Sequence, residues 1–454
     1  MRSSIPLITV LGVTFNLCFI STSYGQTNPA ISLENPQGVA PLYYDAVSAQ
    51  EPQPTFIAVP LLAEGDVEIT RTVDSTQFAA RLGTYAPSPS ALVGPFQPRS
   101  VSAGANEDRG TALSGALQVR NLGGQEQNLT LNVRGGESVT DAELSFVDPS
   151  IGRPVAGISE RPQTGYALNL FNQRSFQSVF TGGSTDVDLP NGETPWVHRL
   201  GGGVEVFRPI APHLIAAAGV SYQRVSIRPD RFTHQVEAID QLNNPLTYSG
   251  TGQDDLLTVN LAADWDERND HDNPTRGARV RFGVDQSIPV GNANIAFTRL
   301  SANYLQYMPL PLFGFARGDR TLLLNLQGGT MIGEVPPYEA FDIGSGVVRG
   351  FSDGVGTGRS FVAASAEYRY PIANVRLFRR PIQLGGTLFA DYGSDLGSGD
   401  TILGEPAEVR NKPGSGLGYG AGLRAQTPIG TARLEFAWTN EGDSEIVFKL
   451  GDRF

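Results

Sequence analysis

Cysteine is almost absent: in 454 residues only Cys18 carries a thiol, and it lies within the first 25 positions. One cysteine cannot close an intrachain disulfide, which excludes a disulfide framework and a dithiol redox centre. A basic surplus is missing too. Lys+Arg 34 against Asp+Glu 46 leaves a formal charge of −12, the wrong sign for nucleic acid, and no basic stripe offsets it. The four histidines, His198, His213, His234 and His271, show no H-x-x-x-H or clustered spacing, so the common zinc signatures are excluded. No nucleophile, base and orienting group can be assembled. The expectation is a protein that is not an enzyme, without metal, cofactor or nucleic-acid partner. Beyond the leader no run approaches the roughly 18 apolar residues of a membrane-crossing helix.

What is present is turn chemistry. Glycine (53) and proline (31) are abundant, as expected where many short strands are joined by turns. Residues 1–25 carry Arg2, an apolar stretch from Ile5 to Ile20, then Ser23-Tyr24-Gly25, the layout of a secretory signal peptide. A lipobox at Cys18 is disfavoured because Leu17 precedes it where a small residue is needed. Residues 26–97 are rich in Pro, Ser and Gln and read as a disordered periplasmic segment. From residue 98 to 454 the pattern becomes strand, turn, strand, with about 16 antiparallel strands, many near the length a tilted bilayer-crossing strand needs.

The facing of these strands is more informative than their number. In the final strand Ile446, Phe448, Leu450 and Phe454 share one face, while Glu445, Lys449 and Arg453 share the other. Between 277 and 286, Val280, Phe282 and Val284 oppose Arg279, Arg281 and Asp285. A soluble sandwich has the same period. Strand length, the leader and aromatic residues at strand ends (Tyr368, Tyr370, Tyr392, Trp265, Trp438) favour a membrane girdle instead. The fold class expected is all-β, a transmembrane antiparallel barrel of about 16 strands, seated in the outer-membrane lipid bilayer. Gly201-Gly202-Gly203 and Gly414–Gly422 read as strand ends and turns. The run Asp264, Asp266, Asp270, Asp272 lacks the EF-hand glycine and closing Glu, and reads as a solvated turn.

One stretch stands apart. Gly333–Tyr370 is a long Gly-rich loop carrying Val348-Arg349-Gly350-Phe351 and ending in an alternating strand. Further on, Phe389-Ala390-Asp391-Tyr392-Gly393 places Asp391 with Phe389 and Thr387, opposite Leu388 and Tyr392, so Asp391 faces inward by its own local period. An arginine leaving water needs an acidic partner. Asp391 and, second, Glu367 are the inward carboxylates available to Arg349.

These motifs, with Asp266–Gly277 ending in Pro-Thr-Arg-Gly and Phe454 closing the chain, resemble the BamA-type surface antigen superfamily, in its cyanobacterial and chloroplast branch. The resemblance covers about 99–454. It implies a loop folded into the lumen, Val348, Arg349, Gly350 and Phe351 latching onto a wall motif of Phe389, Asp391 and Gly393, and a C-terminal strand signal in Phe448, Leu450 and Phe454. It further implies insertion or translocation of proteins at the outer membrane. Expected partners are unfolded outer-membrane protein substrates or a longer paralogue, because no polypeptide-transport-associated (POTRA) domain is recognisable in 26–97. A passive ion or solute channel of the same fold is the alternative. A one-to-one pair of Arg349 with Asp391 predicts that reversing both charges restores what either single reversal breaks.

Overall fold

The computed structural model of the chain describes residues 102–450, apart from 107–109, 123–126, 149–163, 271–272, 345, 352–354, 378–379 and 428–429. The leader, the Pro-rich segment and Phe454 lie outside the described residues. Strands are β1 (Ser102–Asn106), β2 (Gly110–Leu122), β3 (Gln127–Gly136), β4 (Val139–Asp148), β5 (Gly165–Phe176), β6 (Trp196–Ala211), β7 (Leu214–Arg228), β8 (Gln253–Asp266) and β9 (Gly277–Ile288). They continue with β10 (Phe297–Pro309), β11 (Thr321–Gly333), β12 (Phe341–Ile343), β13 (Gly356–Gly358), β14 (Ser360–Leu377), β15 (Arg380–Ser394), β16 (Ser415–Thr427), β17 (Gly430–Thr439) and β18 (Ser444–Leu450). All but β12 and β13 form one antiparallel sheet of 16 strands, each paired with its neighbours in chain order. β1 and β18 end that order, yet they approach within 8 Å between Cα atoms, so the sheet curls round on itself. β12 and β13 make a separate two-stranded hairpin inside the β11–β14 connection.

Period-two alternation sets which way each side chain points. On β9, Arg279, Arg281, Asp285 and Ser287 are buried on the inner face, while Phe282 is exposed outside. On β17, Arg433 and Glu435 are buried inward and Trp438 is exposed outward, stacked on Tyr419 of β16. Charged residues inside and apolar residues outside invert a soluble protein. The apolar wall faces lipid, and ladder bonding satisfies the backbone where lipid offers no partner.

Two glycine runs expected at strand ends lie instead within strands. Gly201–Gly203 belong to the middle of β6 and Gly416–Gly422 to β16. Both occupy positions where backbone or a neighbouring strand approaches too closely for a side chain: a Cβ on Gly201 would strike the Tyr222 carbonyl. The alternating strand expected to close the Gly333–Tyr370 stretch runs further, to Leu377, because a bulge between Pro371 and Ala373 absorbs the proline without ending the pairing.

Connections sort by side. Long ones (177–195, 229–252, 334–359, 395–414) gather at one rim and 212–213, 267–276 and 310–320 at the other, matching extracellular loops and periplasmic turns. The long loops build an apolar core within their rim, with Phe180, Leu189, Leu246, Tyr338, Phe341, Ile343, Val348, Phe351 and Ile402 buried together, joined by Ile295 of the shorter 289–296 connection. Polar ties lock it. Lys412 donates to the Ser178 carbonyl and, at 3.0 Å, to Thr357 Oγ1; Arg410 donates to the Val187 carbonyl at 2.9 Å. Arg410 is buried and desolvation lowers its pKa from the ordinary guanidinium value.

The lipid-facing assignment carries a measurable consequence. Leu261 on β8 is exposed on the outer face. Leu261→Arg is expected to destabilise the barrel by about 2–4 kcal/mol if it lies near the bilayer midplane, read as a lower urea midpoint for folding into lipid vesicles.

Candidate functional site

The loop 334–359 crosses the lumen, and it is fixed at base and tip by charges of opposite sign. At its base Pro336 leads into a short 3-10 turn, Pro337–Glu339. Glu339 accepts from Arg199 of β6 at 2.6 Å and from Arg299 of β10 at 2.6 Å. The same two arginines bond the carbonyls of Tyr338 (2.5 Å) and Glu339 (2.7 Å). Tyr338 donates to Asp254 of β8 at 2.7 Å; burial first, then the Asp254 charge, pushes its phenol pKa well above the ordinary value.

At the tip the polarity reverses. Arg349 is only 2% exposed. Its Nε and Nη2 grip Asp391 of β15 at 2.6 and 2.9 Å in a bidentate fork, and its backbone N–H donates to the same carboxylate at 3.2 Å. Nη1 bonds Glu367 of β14 at 2.8 Å and Glu435 of β17 at 3.2 Å. The guanidinium carbon sits 3.4 Å from the centre of the Phe389 ring, which adds a desolvated cation–π contact. Ser365 donates to Asp391 from the next strand. Burial works against the charged guanidinium, but Asp391, then Glu435 and Glu367, outweigh it and raise its pKa.

Three carboxylates around one cation leave negative charge, and more arginines answer it. Arg369 bonds Glu367 at 2.8 Å, Arg433 bonds Glu435 at 3.2 Å, and Arg424 approaches Glu367 at 3.5 Å. The next residue of the loop reaches the last strand: Gly350 N–H donates to Glu445 of β18 at 3.3 Å. Gly350 has φ 95°, a left-handed conformation that glycine adopts at little cost.

The wall beneath the tip is stripped of side chains. On β16 the inward positions are Gly416, Gly418, Gly420 and Gly422. A Cβ on Gly418 would run into the Arg349 carbonyl oxygen, and one on Gly416 would lie 2.6 Å from the Phe351 ring. On β15 a Cβ on Gly393 would sit 2.8 Å from Val348. The glycines form a trough between Asp391 on β15 and Glu435 on β17, which is why one guanidinium reaches across β16 to both.

The structure thus brings together Val348, Arg349, Gly350, Phe351, Glu367, Phe389, Asp391 and Gly393. Glu367 is a partner alongside Asp391 and does not compete with it. Phe448 is elsewhere, on the outer face of β18. Leu450 pairs with Ala432 through its backbone. Glu435 is legible in the sequence as an inward residue of β17 but not as a partner, because that depends on the glycine trough in three dimensions. Glu339, Arg199 and Arg299 carry no motif at all. Nor are the acids of the 264–272 turn simply solvated: Asp264 pairs with Arg279 at 2.7 Å and Asp266 with Arg268 at 2.7 Å.

With this geometry in view, residues 121–454 match the model of the Omp85 superfamily domain. The chain belongs to the Omp85 superfamily. It is 30% identical over 340 residues to Outer envelope protein 80, chloroplastic, of Arabidopsis thaliana, covering 74% of this chain and 42% of that one. It is 27% identical over 354 residues to Protein TOC75, chloroplastic, of Pisum sativum, covering 74% and 42%. The match therefore spans less than half the length of these relatives. The crystal structure of BamA from Haemophilus ducreyi lacking POTRA domains 1-3 superposes with a TM-score of 0.54 at 15% identity, over 78% of this chain and 68% of that one, a likeness of fold. As an Omp85 barrel, this chain is an outer-membrane protein.

Arg349→Ala is expected to cost about 3–5 kcal/mol, because it leaves buried carboxylates uncompensated, seen as a lowered urea midpoint and faster proteolysis of 334–359. Arg349→Asp combined with Asp391→Arg is expected not to restore stability, since a carboxylate at position 349 still faces Glu367 and Glu435; recovery to the wild-type midpoint would refute the three-acid cage. Gly418→Val is expected to lift the tip from the trough, with the same gain in loop proteolysis although no charge has changed.

Proposed function

We propose that this outer-membrane barrel acts in the insertion or translocation of proteins, and that the Arg349 loop latches the terminal strands to the wall. The observation that carries the reading is the span of one loop tip. Arg349 bonds β14, β15 and β17, and the adjacent Gly350 bonds β18. Docking of the loop and position of the last hairpin are therefore linked energetically. The hairpin ends at the edge of the sheet that faces β1, where the two strands approach without a ladder between them among the described residues. An edge with unpaired N–H and C=O groups is a template for another strand, and in lipid the incentive to pair is large because no water competes.

The substrates in this reading are unfolded outer-membrane proteins, and a longer family member is a partner of matching chemistry. Membership of the Omp85 superfamily supports the class of activity. The latch is a positioning device: Arg349, Asp391, Glu367 and Glu435 transfer nothing and hold the wall in one arrangement. A passive channel fits less well, because Val348 and Phe351 of the lumen loop are buried in the same apolar cluster as residues of the other long loops, and Arg349 between them is held to the wall.

Deleting the gene and measuring the folded fraction of other outer-membrane barrels by heat-shifted electrophoretic mobility tests the activity. The expected result is a reduced folded fraction, restored by the wild-type allele but not by Arg349→Ala at equal abundance. Unchanged barrels in the deletion strain, together with steady conductance of the purified protein in planar bilayers, would favour the channel.

A further inference from the structure

We infer that the turn 310–316, between β10 and β11, is a membrane-contacting wedge outside the barrel wall, lying in the periplasmic leaflet at the boundary of headgroups and acyl chains. The sequence here is Leu310-Pro311-Leu312-Phe313-Gly314-Phe315-Ala316. On a rim of polar turns it is conspicuously apolar. Leu312 is 66% exposed and Phe315 76%.

The turn is placed against the outer face of the barrel. Tyr368 pairs across the sheet with Leu322 and Leu388, opposite the inward Glu367 and Arg369, so its ring is on the lipid side. Phe313 packs edge-on against Tyr368 with ring centroids 5.0 Å apart, and lies 4.8 Å from Tyr370. Phe315 meets the edge of Tyr370 at 6.0 Å. The tyrosine hydroxyl is used as well: Tyr368 donates to the Phe313 carbonyl at 2.8 Å. The wedge therefore continues the lipid-facing surface of β14 beyond the end of its neighbouring strand.

It is also built, not a slack connection. The Phe315 N–H donates to the Pro371 carbonyl at 2.8 Å, at the bulge that bends β14. Arg320 donates to the carbonyls of Phe313, Gly318 and Ala316 at 3.2–3.3 Å, closing the turn from its own C-terminal side. A Cβ on Gly314 would lie 2.8 Å from Arg320 Nε. Once the turn is closed this way, holding two large apolar side chains outward adds little to the ordering cost, and burying them in lipid is favourable where leaving them in water is not. Rings and aliphatic side chains backed by arginine suit the interface, where amphipathic elements sit about 5–10 Å into the headgroup–acyl boundary. The occupant the surface fits is bilayer lipid, because the surface is continuous with the lipid-exposed wall.

The test uses the full chain with Cys18→Ser, carrying Phe315→Cys or, separately, Leu312→Cys labelled with an environment-sensitive nitrobenzoxadiazole dye. Neither substitution removes the edge-on Phe313–Tyr368 contact that seats the turn. A control label at Glu441→Cys reports from the exposed turn between β17 and β18. The proteins are placed in phosphatidylcholine nanodiscs, whose two faces are both open to solutes. The wedge predicts blue-shifted emission at 312 and 315 relative to the control, loss of iodide quenching, and stronger quenching by a nitroxide near the headgroup than by one at the chain end. Labels at both positions that match the control in iodide quenching and ignore the nitroxide lipids would overturn it, and the surface would then be one presented to a periplasmic protein.

Discussion

A guanidinium that has left water must be answered by negative charge at contact distance, and Arg349 sets that requirement for the whole barrel interior. Its burial is nearly complete, so each neighbour is dictated by electrostatics in a medium that screens little. Three carboxylates meet it, on β14, β15 and β17. Those acids would repel one another without further cations, and Arg369, Arg424 and Arg433 stand among them. With Glu445 bound to the adjacent Gly350, four arginines face four carboxylates. A network so balanced tolerates one geometry well and displaced geometries poorly.

The rest of the interior follows from bringing that arginine to that place. The loop must span the lumen, so it is held at its base by Glu339 between Arg199 and Arg299. Placing the acid on the loop at one end and on the wall at the other prevents the loop from docking in reverse, since either end at the wrong site would meet like charge. The tip must come within hydrogen-bonding distance of the sheet, so β16 carries glycine at each inward position beneath it. Above, the long loops cover the tip with an apolar core, which keeps water from competing for the ion pairs. Polar fixing below and apolar cover above support each other: a dry site strengthens the pairs, and the pairs hold the cover down.

The barrel wall itself obeys a simpler rule. Its outward residues face lipid and its backbone is satisfied by ladders, so the bilayer needs only alternation and adequate strand length. That leaves the inner face free to carry whatever the function asks. Here it carries a high density of buried charge. The Omp85 match covers the barrel and takes in less than half the length of the chloroplast relatives, so the barrel is the part of the architecture this chain holds in common with them.

Alternation was readable from residues alone because side-chain direction in a strand has period two and needs no knowledge of the neighbours. It set the approximate number of strands and the inward direction of Asp391, Glu367 and Glu435. The loop motif pointed to Arg349 and Asp391 as partners. What alternation cannot supply is register between strands distant in sequence, and hence which inward residues share a level. Only the folded barrel sets Glu435 across a glycine trough from Asp391, turns an expected pair into a cage of three acids, and converts glycines that looked like turns into the floor of a docking site. Glu339 could not be found beforehand, because nothing local marks a carboxylate whose two arginines lie 140 and 40 residues earlier. Local periodicity is a property of the chain; charge pairing across a lumen is a property of its closure.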